Sequence, residues 1–174
     1  MGAAAQGADP EAGRWMAIPR TLCFVTNGGT INGDVLLMKR AENRRVFPGL
    51  YNGVGGHIER DEDPYTSVVR EVREETGLTV TNVQLRGIYH VDARQAVGVM
   101  VFVFSAESVS RDVIQNDEGT LHWVPIVDAY TLPLVEDVPI LLSRLFGAES
   151  SDVLFFAHAR YDDQDRLVLT IAPT

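Results

Sequence analysis

Three glutamates on one short segment are the candidate reactive groups of this 174-residue chain, because of their carboxylates and their spacing. Glu71, Glu74 and Glu75 stand three and four residues apart, which would place their carboxylates on one face of a helix. Like charges this close repel each other unless solvent or a divalent cation lies between them, and hard cations prefer oxygen ligands. The triplet therefore suggests a metal site, although acidic triplets also occur on solvated helix faces.

The residues around the triplet favour the metal. Reading from Gly56, Glu62 follows after five residues, an Arg-Glu-Val triplet stands at 70–72, and the segment ends with Gly-Leu at 77–78. At every specified position, residues 56–78 resemble the signature of the Nudix hydrolase family. The resemblance implies the Nudix fold and hydrolysis of a nucleoside diphosphate-linked substrate.

The resemblance also implies a loop-helix-loop element whose carboxylates bind metal ions that bridge a diphosphate. Mg²⁺ would be the cofactor, with Mn²⁺ as the alternative. Arg70 would support catalysis by forming an ion pair with Glu62 that orients the helix. The glutamates at 74 and 75 would be the main catalytic ligands. By resemblance, the metal ligands of the segment are Gly55 through its carbonyl, Glu71, Glu74 and Glu75.

Outside this segment the chain is similar to the branch of MutT and the human MutT homologue, diphosphatases that remove oxidised purine nucleotides from the nucleotide pool. Residues 36–40 and 50–56 carry this similarity. Asn52 falls where the branch has an asparagine in the nucleobase pocket, and an amide can both donate to and accept from a purine edge. An asparagine that caps the loop is the alternative.

Four further residues are candidates for the site. Glu118 matches an additional metal ligand or catalytic base of the branch, with an exposed turn residue as the alternative. Glu136 and Asp137 resemble the acidic pair that recognises the oxidised base, although the next proline is closer here and the pocket tryptophan has no match. Lys39, next to Arg40, could contact phosphate or be an ordinary cation at a strand end.

The pattern of apolar residues predicts the elements that must position these side chains. Two branched runs at 20–26 and 35–39 flank a turn-rich segment and predict a hairpin. Asp63-Pro64 and Gly77 have the composition of helix caps and predict a helix over 64–76, whose valines at 68, 69 and 72 would face the core. Further strands are predicted at 85–91, 98–106, 121–125, 154–158 and 167–171, a turn or short helix at 126–130, and a second amphipathic helix at 139–146.

Strands mixed with two helices indicate an α+β protein, an α/β/α sandwich with a mixed central sheet and a second, C-terminal helix. Residues 15–174 are predicted to form one domain and residues 1–14, which lack large apolar side chains after Met1, a mobile tail. The only cysteine, Cys23, lies in an apolar run and is predicted to be buried.

The formal net charge of −9 argues against binding to nucleic-acid polymers, because such binding depends on basic residues. A small nucleotide can still enter an acidic site together with divalent cations. No apolar run has the length of a membrane span, so we expect no membrane partner and a cytoplasmic protein that is a monomer or homodimer.

The leading hypothesis is a diphosphatase that converts a purine nucleoside triphosphate, possibly oxidised, to the monophosphate and pyrophosphate. Enzymes for ADP-ribose, nucleotide sugars or dinucleoside polyphosphates are alternatives, and the absence of proline between Gly77 and Pro125 counts against ADP-ribose. An isopentenyl diphosphate isomerase would need a cysteine near the motif that is missing here. A non-catalytic nucleotide sensor would typically have lost one of the glutamates.

Overall fold

The computed structural model describes residues 6–7, 11, 13–29, 33–148 and 150–173 of the protein. Most of the predicted tail at 1–14 lies outside these residues. The described part forms eight strands and three helices, and every predicted helix and strand is present. In chain order they are β1 (Met16–Asn27), β2 (Asp34–Arg40), β3 (Tyr51–Asn52), α1 (Pro64–Thr76), β4 (Thr81–Asp92), β5 (Val97–Glu107), β6 (Gly119–Pro125), α2 (Ile126–Ala129), α3 (Val138–Phe146), β7 (Phe155–Tyr161) and β8 (Leu167–Ile171).

The strands form one mixed sheet in the order β3-β2-β1-β5-β4-β7-β8, and β6 also pairs with β2. β1 runs parallel to β5 and β4 runs parallel to β7. The other strand pairs are antiparallel, among them the predicted hairpin of β1 and β2, in which Val25 lies opposite Leu36. The parallel pairs bring segments that are distant in the chain to the centre of the sheet.

Helices cover both faces of the sheet, because successive residues of a strand point to opposite sides. Leu22 and Phe24 of β1 join an apolar cluster that includes α3. Cys23 and Val25 join a second cluster that includes α1. The predicted α/β/α sandwich is therefore confirmed. Cys23 is fully buried as predicted, and burial raises the pKa of its thiol to about 12.

The helix that carries the glutamates begins and ends at the predicted residues. The carboxylate of Asp63 caps its first turn by accepting hydrogen bonds from the backbone N–H groups of Tyr65 and Thr66, at 2.8 and 3.0 Å. Gly77 ends the helix in the left-handed conformation, at a φ of 76°, and donates its N–H to the carbonyl of Arg73. Local signals alone therefore define this element.

One face of α1 packs against the sheet. Val68 and Val72 are buried and Val69 packs against the same cluster, as the predicted apolar stripe requires. The face turned away from this cluster is left to carry charged groups. No helix in the described residues combines the length and the apolar character needed to cross a membrane.

Candidate active site

A glycine-rich loop lies flat against β1 and ends beside α1. Cys23 and Val54 exchange backbone hydrogen bonds of 2.7 and 3.0 Å, and the N–H of Thr21 donates to the carbonyl of Gly56 at 2.9 Å. A Cβ on Gly55 would overlap the backbone of Thr21, and its φ of 153° is one that other residues rarely adopt. Glycine is therefore required for this close approach.

The same loop meets the glutamates of the helix. The N–H of Gly55 donates to Oε2 of Glu75 at 3.1 Å. A Cβ on Gly56 would lie 2.4 Å from Oε1 of Glu71, so a larger residue at this position would displace that carboxylate. The carboxylates of Glu71 and Glu75 thus lie against the backbone of the two glycines, Gly55 and Gly56.

Arg70 links the acidic residues of the segment. It forms the predicted bidentate ion pair with Glu62, with Nε–Oε1 and Nη2–Oε2 distances of 2.5 and 2.9 Å. Its Nη1 donates at 3.0 Å to both Glu71 and Glu74. The hydrogen bond from Arg70 lowers the pKa of Glu62 to about 2, so this pair is charged at neutral pH. Arg70 also donates to the carbonyl of His57 and so joins helix and loop.

The glutamates on α1 differ in their surroundings. Burial raises the pKa of Glu75 to about 8, and repulsion from Glu71 and Glu118 adds to the shift, while the Gly55 N–H opposes it. Burial also raises the pKa of Glu71, against the effect of Arg70. Glu74 is different, because its side chain is 62% exposed. Glu71 and Glu75 are the less exposed members of the triplet, so a bound cation would stabilise their charged forms most.

A hard divalent cation fits this chemistry. The acidic side chains whose charges act on Glu75, those of Glu71 and Glu118, offer carboxylate oxygens, and a bound cation would reduce the repulsion among the three groups. Within the described residues no three acidic, histidine or cysteine side chains already form a metal cage. Two of these carboxylates are bound by arginines: Arg70 donates to Glu71, and Arg44 pairs with Glu118 at 2.6 Å.

The carboxylates line a cavity of about 570 Å³, a volume in the range of small-molecule sites. Glu71, Glu75 and Glu118 form one group of lining residues, and Asn52 with the acidic pair 136–137 forms another. The structure therefore brings predicted metal ligands and predicted base-recognition residues to one cavity.

These features can be set beside known proteins. A family model described as NUDIX domain matches residues 16–145. The chain belongs to the Nudix family. It is 32% identical over 115 residues to the uncharacterized Nudix hydrolase YvcI of Bacillus subtilis, and the aligned region covers 63% of this chain and 70% of YvcI. It is 36% identical over 97 residues to nucleoside triphosphatase NudI of Salmonella schwarzengrund, covering 50% of this chain and 69% of NudI.

The fold is also that of Nudix proteins of known structure. The crystal structure of a MutT mutator protein from Bacillus halodurans is similar with a TM-score of 0.74 and 27% sequence identity, over 90% of this chain and 99% of that one. The predicted family, its MutT-like branch and the fold are confirmed, and the protein is a hydrolase of this family. Nudix hydrolases generally need divalent cations.

The loop that carries Glu118 is fixed to the Nudix helix. Asn116 donates from Nδ2 to the carbonyl of Glu75 at 2.8 Å, and its Oδ1 accepts from the N–H of Glu118. The N–H of Ala41 donates to the carbonyl of Glu118 at 3.0 Å. Although its side chain is 41% exposed, Glu118 lies on the cavity close enough to influence Glu75. Glu118 is thus part of the cavity wall, and its role as a metal ligand or catalytic base stays a prediction.

The base-recognition candidates also line the Nudix cavity. Oδ1 of Asn52 accepts from the N–H of Gly53 at 2.8 Å, as a loop cap would, which leaves Nδ2 to contact a ligand. Tyr89 donates its hydroxyl to Oδ2 of Asp137 at 2.5 Å. The other oxygen, Oδ1, is buried without a partner in the described residues. Burial raises the pKa of Asp137, and Glu136 beside it is exposed.

Of the predicted site residues, Arg70 and Glu74 stand beside the cavity next to Glu71, and Lys39 stands at the end of β2. Lys39 does not line the cavity, whereas its neighbour Arg40 does. Adjacent residues of β2 point to opposite faces, and Lys39 lies opposite Tyr51 and Thr120 in the register of the neighbouring strands. The role of Lys39 in substrate binding stays a prediction, and Arg40 is the neighbour that lines the cavity.

Arg20, Arg44 and Tyr161 are among the lining residues that were not predicted from the sequence. Arg20 has a buried Nε without a partner in the described residues, and burial together with the charge of Arg40 lowers its pKa. An arginine at the start of an apolar strand was a signal that could have identified it. Arg44 and Tyr161 depend on tertiary placement and have no comparable local signal.

Proposed function

We propose that this Nudix hydrolase is a Mg²⁺-dependent diphosphatase that converts a purine nucleoside triphosphate, including oxidised forms, to the monophosphate and pyrophosphate. One observation carries the proposal. The buried carboxylate of Glu75, held by the Gly55 N–H and repelled by Glu71 and Glu118, borders a cavity large enough for a nucleotide. The names of NudI, a nucleoside triphosphatase, and of the MutT protein support the choice of substrate.

The proposed metal ligands are the acidic residues and one carbonyl of this corner of the cavity. Bound Mg²⁺ would neutralise charge on the phosphates and lower the pKa of a coordinated water. Glu71 would bind the cation while it keeps its contact with Arg70, and Glu118 would exchange Arg44 for the cation. The full proposed ligand set is Gly55, Glu71, Glu74, Glu75 and Glu118.

The other side chains would position the substrate. Arg70 would keep Glu71 and Glu74 aligned, since it already donates to both. Arg20 and Arg40 both line the cavity and would contact the phosphates. Arg40 also lies 4.0 Å from the carboxylate of Glu118. Positioning and charge neutralisation would supply most of the rate enhancement.

The nucleobase would meet the second group of lining residues. Asn52 offers a donor, and Asp137 offers a buried oxygen that needs a hydrogen-bond partner. Glu136 stands next to it on the cavity wall. Glu136 and Asp137 would accept N–H groups of a purine edge, while Asn52 would donate to an acceptor on it.

The test is a substrate panel with Mg²⁺ and identification of the products by chromatography and ³¹P NMR. Canonical and oxidised nucleoside triphosphates should give monophosphate and pyrophosphate, and reaction in H₂¹⁸O identifies the phosphorus that water attacks. Cleavage of ADP-ribose, nucleotide sugars or dinucleoside polyphosphates alone would contradict the proposed substrate. Thermal stabilisation by nucleotides without any product would contradict catalysis and favour a sensor.

A further inference from the structure

The hairpin of β7 and β8 lies outside the part of the chain that matches the Nudix family model, yet it reaches the cavity. The match ends at residue 145, whereas Tyr161 and Leu167 are lining residues. β7 pairs in parallel with β4, so that Ala157 lies opposite Tyr89. The hairpin thereby extends the sheet whose β4 already carries Tyr89 on the cavity wall.

Tyr161 and Leu167 are direct neighbours across this hairpin. They lie opposite each other in the register of β7 and β8, so their side chains share one face. Leu167 packs against the apolar cluster on that face. Residue 170 belongs to the other face by the alternation of the strand, and its side chain is exposed.

The tip of the hairpin is held in place. Nη2 of Arg94 donates to the carbonyl of Tyr161 at 2.9 Å and to the carbonyl of Asp162 at 2.5 Å. The carboxylate of Asp162 accepts from the backbone N–H groups of Gln164 and Arg166, at 2.9 and 3.0 Å, and closes the turn. Tyr161 therefore stands at a defined position rather than on a free loop.

The surroundings of Tyr161 combine apolar walls with acceptors. Leu22 and Val101 line the same cavity. Tyr161 lines the same cavity as Glu136 and Asp137, burial raises the pKa of its hydroxyl, and the charges of Glu136, Asp137 and Asp165 raise it further. A flat ring with N–H donors on its edge matches such a site, because its face can contact an aromatic ring while its edge meets the acceptors.

We propose that the β7–β8 hairpin forms one wall of the nucleobase subsite, with the Tyr161 ring against the face of the base and Leu167 beside it. This inference rests on the proposed function, because it assigns the base of the same nucleotide. It makes the C-terminal hairpin a determinant of selectivity. The metal and phosphate contacts would come from the part of the chain that matches the family model.

Point substitutions in the hairpin test the inference. Tyr161→Ala, Tyr161→Leu and Leu167→Ala are compared with Thr170→Ala, the matched control on the opposite face, after thermal unfolding has shown which variants are folded. With the preferred nucleoside triphosphate, the first three should raise KM by about tenfold at nearly unchanged kcat, in line with the loss of one base-aromatic contact. Ribose 5-triphosphate, which lacks the base, should show no such change.

Calorimetric binding of the nucleoside monophosphate separates this inference from the proposed function. Wild-type protein that binds the monophosphate but releases no pyrophosphate from any triphosphate would overturn the proposed function alone. Folded Tyr161→Leu and Leu167→Ala variants that bind the monophosphate as tightly as the wild type would overturn the role of the hairpin alone. Weaker binding in both, with the Thr170→Ala control unchanged, is the result that supports it.

Discussion

At the scale of single residues, the site depends on carboxylates held where they are poorly solvated. Glu75 is the clearest case, because it is buried near two other acids and has one backbone N–H as its partner. Burial without a cation disfavours the charged form. The metal-free protein should therefore carry an electrostatic strain at this position that a bound cation relieves.

We expect this strain to appear in the pH dependence of stability. The folded pKa of Glu75, about 8, lies above the ordinary value of 4.5. Its contribution to stability is therefore fully present below about pH 4.5 and is lost as the pH rises through about 8. In EDTA, Glu75→Gln should raise Tm relative to wild type progressively between pH 5.5 and 8.5, as calorimetry can measure.

The exposed Glu74 provides the control for this measurement. Glu74→Gln should leave the pH dependence of Tm nearly unchanged. Added Mg²⁺ should stabilise the wild type more at pH 8.5 than at pH 6, because the cation competes with the proton for Glu75. Equal pH profiles for wild type and Glu75→Gln in EDTA would contradict the burial argument.

Arg70 gives a second prediction at this scale. Its planar group binds Glu62 twice and reaches Glu71 and Glu74 at once, which the single ammonium of lysine cannot do. Arg70→Lys should lower kcat by about 10- to 100-fold with little change in KM, as expected for a group that orients metal ligands. Steady-state kinetics measure this, with the exposed Arg73→Lys as control. Full kcat in Arg70→Lys would be incompatible with the positioning role.

At the scale of elements, α1 matters because it must present its glutamates to the glycine loop. Its start depends on the Asp63 cap, which satisfies two N–H groups of the first turn. Its position depends on Val68 and Val72, which anchor it to the sheet. Stability and catalysis are thus separable on this helix, since the cap and the anchors lie away from the carboxylates.

Removal of the cap should cost stability without a matching loss of chemistry. Asp63→Ala should destabilise the protein by about 1 kcal/mol, which corresponds to a fall in Tm of about 2–4 °C for a chain of this size. The neighbouring exposed Asp61→Ala is the control and should leave Tm unchanged. Differential scanning calorimetry measures both, and an unchanged Tm in Asp63→Ala would show that the cap contributes nothing.

This helix was also the element best predicted from the sequence. Its cap, its N-terminal proline and its C-terminal glycine are local signals, and the structure has the same bounds. The order of the strands was not predicted, because the parallel pairing of β1 with β5 and of β4 with β7 depends on contacts far apart in the chain. The two-residue strand β3 was also missed, since so short a segment has no periodicity.

At the scale of the whole molecule, two apolar clusters on opposite faces of the sheet hold the site together. α3 packs on the face that carries the cavity wall, and Leu142 is completely buried there. We therefore expect the stability of the domain to depend on α3, although this helix contributes no residue to the cavity.

Leu142→Ala should lower the free energy of unfolding by about 2–5 kcal/mol, because it removes buried methyl groups and leaves a void. Ile140, on the same helix and 37% exposed, provides the matched control, and Ile140→Ala should cost much less. Urea denaturation measures both. At temperatures well below Tm, kcat of Leu142→Ala should stay near the wild-type value, and a large loss would mean that α3 shapes the site directly.

The sequence by itself determined the catalytic segment, because its signature lies within 23 consecutive positions, 56–78, and the helix that carries it is defined by its own caps. Only the tertiary structure decided the composition of the cavity. It placed Arg40 on the cavity wall, bound one oxygen of Asp137 to Tyr89 while the other has no partner among the described residues, and brought Tyr161 from the C-terminal hairpin. Spacing and caps act over a few residues, whereas strand order and burial arise from contacts across the whole chain.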